Sequence, residues 1–248
     1  MTIKKKIALI FIAAAVTTTC IFAACNKPDK ATNTYTPPIS DVDLANAISA
    51  GVSFNSNGFA EEITAISNYS VAKGLYTTTP GLQCGVSFDT SFTRTSNSTA
   101  GSYTYGDDLN FTLACIAGAP DSLNVTQEMH GAYALSQISG TDGSTAQLVI
   151  KQLQPGYTSV IINGTYTRTG TDSSKIGTKP TFSSVITYTL SNITLDKTTK
   201  KITGGVATVG ITGFSNTGVA YQNSGLLTFD KNGVTLTLNG NDFTTALY

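Results

Sequence analysis

Residues 84–115 read CGVSFDTSFTRTSNSTAGSYTYGDDLNFTLAC, and this stretch decides the fold. Cys84, Val86, Phe88, Thr90, Phe92 and Arg94 alternate with Gly85, Ser87, Asp89, Ser91 and Thr93. An extended chain with that alternation turns one face toward apolar partners and the other toward water. After the loop Ser96 to Ser102 the pattern resumes with Tyr103, Tyr105, Asp107, Leu109, Phe111, Leu113 and Cys115. Folding the two runs together about the middle of the loop gives one register, with Val86 opposite Leu113, Phe88 opposite Phe111 and Thr90 opposite Leu109. The same register sets Cys84 opposite Cys115. A slip of one residue would move all of these side chains to the wrong face, so the pairing is well specified.

Downstream the period of two persists. Leu123, Val125, Met129, Tyr133 and Leu135 alternate with Asn124, Thr126, Glu128 and Ser136, while Gln127 and Gly131 interrupt the apolar row. Gln147 to Leu153 and Ser159 to Thr169 read as further strands, the second preceded by the turn Pro155-Gly156. Ile186, Tyr188 and Leu190 give way to Ile193 and Leu195, a change of phase that predicts a β-bulge near Ser191-Asn192. Asn232-Gly233 is a type I′ dipeptide and predicts a hairpin in which Phe229 faces Leu236 and Leu227 faces Leu238. Short connections pair each strand antiparallel with its sequence neighbour. The expectation for residues 76–248 is a mainly β domain, an antiparallel meander of about nine strands, sandwich-like or a partly closed barrel.

Upstream, residues 41–75 are helical in pattern. Ser40 is placed to cap a helix that carries Leu44, Ala47, Ile48 and Gly51 on one face, with Asp41 and Asp43 in its first turn. A second helix, with Asn57 as its expected cap, carries Phe59, Ile63, Ile66 and Tyr69 and ends near Lys73-Gly74. The Phe59–Lys73 helix is expected to pack over the inner face of the sheet.

At the start of the chain, Lys4-Lys5-Lys6 precede an apolar run from Ile7 to Val16 and a small-residue zone to Ala24. Residues 1–24 therefore read as a signal peptide, too short in its apolar part for a bilayer span of ~20 residues. Phe22-Ala23-Ala24-Cys25 resembles the lipobox of bacterial lipoproteins. That resemblance implies acylation of Cys25, with residues 25–40, rich in Pro, Thr and Asn, as a flexible tether. Ordinary cleavage near Ala23 or Ala24 is the alternative. The Thr-, Ser-, Gly-, Asn- and Tyr-rich composition without Trp resembles that of β-rich surface and periplasmic lipoproteins of the Bacteroidota. Localisation at the outer membrane, on either face, follows from the same resemblance.

With Cys20 removed and Cys25 lipidated, Cys84 and Cys115 remain as the pair of thiols. Opposed residues on antiparallel strands lie ~4.5–5.5 Å apart, within reach of a disulfide, and an exported chain meets an oxidising compartment.

Loss of residues 1–24 lowers Lys plus Arg from 15 to 12 against 15 acidic residues, leaving a net charge of −3. Such a chain, with only Arg94 and Arg168 as arginines, lacks the basic patch that phosphate neutralisation requires, so a nucleic-acid partner is not expected. His130 falls with Glu128 on the polar face of its strand, without a nucleophile elbow, and reads as a solvated histidine. Asp107 and Asp108 point to opposite faces, and Glu61 and Glu62 are expected on the exposed side of their helix. Two cysteines and one histidine do not make a zinc site, and no acidic spacing makes a calcium loop, so neither a metal nor a cofactor is expected.

One constellation stands apart. Arg94 faces Tyr105 and lies diagonal to Asp107, and Tyr166 with Arg168 repeats the Tyr-x-Arg theme. These five residues could be a salt bridge with aromatic cover where core meets solvent. The second reading is a ligand rim, where a ring stacks and a guanidinium forks onto ligand oxygens. The expected function is that of a non-enzymatic envelope lipoprotein, held to the membrane by its lipid, that binds a glycan, other ligand or envelope protein. The alternatives are a carrier of an apolar ligand in a β cavity and a glycan-acting hydrolase.

Overall fold

A computed structural model describes residues 38–74 and 83–248. The segment expected to be a signal peptide at 1–24, the expected lipid site Cys25 and nearly all of the expected tether at 25–40 lie outside the described residues.

Helix α1 (Asp41–Val52) starts at Ser40, whose hydroxyl accepts the Asp43 N–H at 3.2 Å, and Asp41 and Asp43 occupy its first turn. It is enclosed nearly all round, and all its residues but Asp41, Val42 and Asn46 are buried. A single 3-10 turn (Phe54–Ser56) reverses the chain into α2 (Phe59–Ala72). Gly58, and not Asn57, is the N-cap of α2. The reversal folds so tightly onto the end of α1 that a Cβ at 58 would meet the Ala50 and Ser53 carbonyl oxygens at 2.7 Å. Asn57 instead adopts the left-handed conformation and turns its amide to Met129 Sδ at 3.2 Å.

Ten strands follow: β1 (Ser87–Asn97), β2 (Gly101–Ile116), β3 (Ala119–Leu135), β4 (Ile138–Lys151), β5 (Ser159–Ser174), β6 (Thr181–Asp196), β7 (Ile202–Ser215), β8 (Ala220–Asp230), β9 (Val234–Leu238) and β10 (Asn241–Thr245). Each pairs antiparallel with its sequence neighbours in one sheet that does not close into a barrel. The sheet has one strand more than the expected nine, and β10 is five residues long. In β1–β2 the register is the one read from the sequence, with Phe88 facing Phe111, Thr90 facing Leu109 and Arg94 facing Tyr105. Cys84 and Cys115 are disulfide-bonded, with Cα atoms 5.7 Å apart. Cys84 sits in a turn ahead of β1, where the Gly85 N–H still reaches the Leu113 carbonyl at 2.8 Å. The expected bulge in β6 is present as a register shift between Ser191 and Thr194, with Asn192 at φ 52°.

The β8–β9 hairpin differs from expectation. Phe229 faces Val234 and Leu227 faces Leu236, a shift of two residues. The Asp230 carboxylate accepts the N–H groups of Asn232 at 2.7 Å and Gly233 at 3.0 Å, which centres the turn on Lys231-Asn232. A shift of two leaves every side chain on its expected face.

The inner face packs against α1 and α2, and the shared core runs from Leu44, Ile48, Ile63 and Ile66 through Phe111, Leu148, Ile162, Tyr188 and Ile211 to Leu236. Two side chains of the sheet grip the backbone of α1 directly: Tyr188 donates to the Ile48 carbonyl at 2.8 Å and Arg168 to the Ala50 carbonyl at 2.9 Å. One inner row crosses seven strands as Tyr105, Gly131, Asp142, Gly170, Ser184, Gly213 and Tyr221. A Cβ at 131 would lie 2.5 Å from the Tyr105 ring, and one at 170 would lie 2.5 Å from Asp142 Cβ. The glycines thus leave room for large neighbours on alternate strands. Finally the tail folds back onto the helices. The Phe54 N–H donates to the Leu247 carbonyl at 2.8 Å, Thr245 bonds Ser49 at 3.1 Å, and Tyr248 accepts the Ile202 N–H at 2.7 Å.

Candidate functional site

The five residues expected at a ligand rim divide between two polar clusters beneath the helices. In the first, Arg94 Nη2 donates to both the Glu62 and the Asp107 carboxylates. Gln127 Nε2 donates to the same two groups, reaching Asp107 at 2.8 Å. Glu61 adds a third carboxylate, 3.6 Å from Arg94 Nη1. Two acids therefore share one cation and one amide in a space from which water is excluded. Burial, with the Asp107 charge adding to it, pushes the Glu62 pKa up to about 8 despite the opposing pull of Arg94. Burial likewise raises Asp107 and Glu61. Burial works against the Arg94 charge, but the surrounding carboxylates more than offset it and its pKa rises.

In the second cluster Arg168, only 3% exposed, donates through Nε to Asp142 at 3.0 Å and through Nη2 to the Tyr105 hydroxyl at 2.8 Å. Tyr105 in turn donates to Asp142 at 2.9 Å. The guanidinium lies 5.0 Å from the Tyr133 ring, and Tyr133 donates to Asp172 at 2.7 Å, which also accepts from Ser184 at 2.6 Å. Burial raises the pKa values of Asp172, Tyr105 and Tyr133. Tyr166 stacks on Tyr188 with ring centroids 5.5 Å apart and meets Phe59 at 6.0 Å.

The rim placement is thus corrected for Tyr105, Asp107, Tyr166 and Arg168, all buried. Tyr105 and Asp107 keep the apolar-face parity of their strand but lie deeper than a rim, and Tyr166 and Arg168 are buried on the same inner face. β5 runs five residues past Thr169 and the end of α1 lies over Arg168, so positions read as strand ends are mid-strand. Arg94, on the edge strand, is the least enclosed of the five.

Four polar partners escaped the sequence reading: Glu62, Gln127, Asp142 and Asp172. Glu62, expected on the exposed side of α2, faces the sheet and is fully buried. Its spacing carried a signal, since it lies three residues after Phe59 and four before Ile66, on the apolar stripe itself. The interruptions at Gln127 and Gly131 mark the sheet side of the same region.

Glu62 and Asp107 form a carboxylate pair that is sealed under α2, while Asp108 and Glu128 are opposed across β2–β3 on the open outer face. His130 is exposed on the outer face, on the side of the sheet away from them. Among the described residues no group of three His, Cys, Asp or Glu side chains is arranged to hold a metal ion.

The outer face is open and rich in hydroxyls. Side chains of adjacent strands align in rows, one of which runs Asn110, Thr126, Gln147, Thr165, Thr189 and Thr208. Furrows lie between rows. The furrow across β5–β8 has a volume of about 580 Å3 and is walled by Thr169, Val185, Thr212, Phe214 and Gln222, with no charged residue in its lining. Phe214 is 57% exposed there. A furrow across β1–β4, about 450 Å3, is lined instead by Asp89, Asp108 and Glu128 among amides and hydroxyls.

The chain matches no family model, no curated protein and no solved structure.

Proposed function

We propose that this protein is a non-enzymatic binding module of a bacterial cell envelope, anchored through a lipid on Cys25, whose outer sheet face takes a neutral glycan. The observation that carries the proposal is the contrast between the two faces. The inner face is filled by the chain's own helices, and both arginines there are committed to carboxylates and to the α1 backbone. A carrier of apolar ligands would need that volume. The β5–β8 furrow, by contrast, sets an exposed ring among hydroxyl and amide groups without charge. Pyranose rings present C–H faces to an aromatic and hydroxyls to such a border.

Isothermal titration of the purified protein with neutral oligosaccharides should give saturable binding that Phe214→Ala weakens at least tenfold, with the thermal unfolding midpoint unchanged. Absence of binding to any neutral glycan, or equal binding by Phe214→Ala, would remove the glycan assignment.

A further inference from the structure

The two ends of the sheet differ in chemistry. Six of the eight lysines among the described residues, Lys73, Lys151, Lys197, Lys200, Lys201 and Lys231, lie at the end that carries the β2–β3, β4–β5, β6–β7 and β8–β9 turns. The opposite end carries Lys175 and Lys179. The lysine-rich turns are joined to one another. Gln154 donates to the Pro120 carbonyl at 3.4 Å, and Lys197 donates to the Leu153 carbonyl at 3.2 Å and to the Gln154 carbonyl. Lys73 stands 4.5 Å from the Phe88 ring at the start of β1, so the end of α2 belongs to the same side. Three aspartates, Asp121, Asp196 and Asp230, accompany the six lysines there, which leaves the end positive among the described residues.

Apolar groups project from the same end. Ile116, at the tip of the β2–β3 hairpin, is 67% exposed, the most exposed large apolar side chain described. The turn that follows it is Ala117-Gly118, with φ values of 50° and 81°. Asn or Asp ordinarily fills the first of those positions, since a left-handed Ala is strained, so this tip keeps an apolar residue against the usual turn chemistry. Tyr157 and Val86, at the same end, are half exposed.

Exposed apolar tips with a tyrosine among lysines match the border of an anionic bilayer, where the tips enter the acyl boundary, the tyrosine sits at headgroup depth and the lysines meet phosphates. We infer that this end of the sheet docks on an anionic phospholipid surface, with Ile116 inserted. The contact is separate from the N-terminal anchor and from the furrow at Phe214, and it fixes which way the domain stands on the membrane.

The chain has no tryptophan, so Ile116→Trp supplies a single reporter and Val219→Trp, in the β7–β8 turn at the other end, supplies its control. Each full-length variant is reconstituted into phosphatidylcholine vesicles with or without about one quarter phosphatidylglycerol and with brominated acyl chains as quencher. Expected is a blue shift and quenching of Trp fluorescence from position 116 in the anionic vesicles alone, with position 219 unquenched in both. Charge reversal of Lys151, Lys201 and Lys231 should weaken docking at least about fivefold per lysine, and about 1 M salt should weaken it as well. An unquenched reporter at 116, equal quenching at 219, or indifference to salt and charge reversal would overturn the inference. Flotation of the chain with vesicles is scored separately, because an anchored but undocked domain floats with neither reporter quenched.

Discussion

Arg94 has one positive charge to share among Glu61, Glu62 and Asp107, and the last two are out of reach of water. Such a group holds a proton at neutral pH, and Glu62 is its site, with a pKa of about 8 against an ordinary value of 4.5. Because the folded state binds that proton more tightly than the unfolded state, the stabilisation is complete below pH 4.5 and is lost as pH rises toward 8. The melting temperature should therefore fall across that window, and Glu62→Gln, which keeps the shape and removes the charge, should flatten the decline. A decline of equal slope in Glu62→Gln would assign the proton elsewhere. At this scale the sequence showed identity and parity but not depth. Arg94, Tyr105 and Asp107 fall by alternation on the apolar face of their strands, yet whether a side chain there meets water depends on how far α1 and α2 extend over it, and strand periodicity carries no record of that.

The elements were more legible. β1 and β2 alternate strictly, and two cysteines brace one end, so a single register satisfied every position. The β8–β9 hairpin misled because the Asp230 side chain, rather than the Asn-Gly dipeptide, sets its turn. The α2 cap misled for a related reason, a tertiary close approach at Gly58 that no local preference announces. The disulfide closes a separation of 31 residues and, by loop entropy, should contribute about 3–4 kcal/mol. Reduction, or paired Cys84→Ser and Cys115→Ser, should lower the denaturation midpoint accordingly, and hydrogen exchange should rise first along β1, an edge strand paired on one side only. Uniform exchange across the sheet would show that the staple does not act locally.

At the scale of the molecule, a ten-stranded sheet with one apolar face needs a covering layer, and α1 with α2 supplies it. Removal of residues 41–74 should yield a chain that binds hydrophobic dyes, elutes as aggregates and unfolds without cooperativity. A monomer with a sharp thermal transition would mean that the sheet finds its own closure. The meander has a further consequence in time. Whether made on a ribosome or threaded through a translocation pore, the chain emerges with both helices ahead of every strand, and each new strand finds its neighbour already in place. Leu247 and Tyr248 emerge after every strand, and their partners are Phe54 and Ile202. A chain cut short near its C-terminus would keep most of its sheet and lose that final clasp, leaving the turn between the helices open to the proteases that patrol newly delivered proteins.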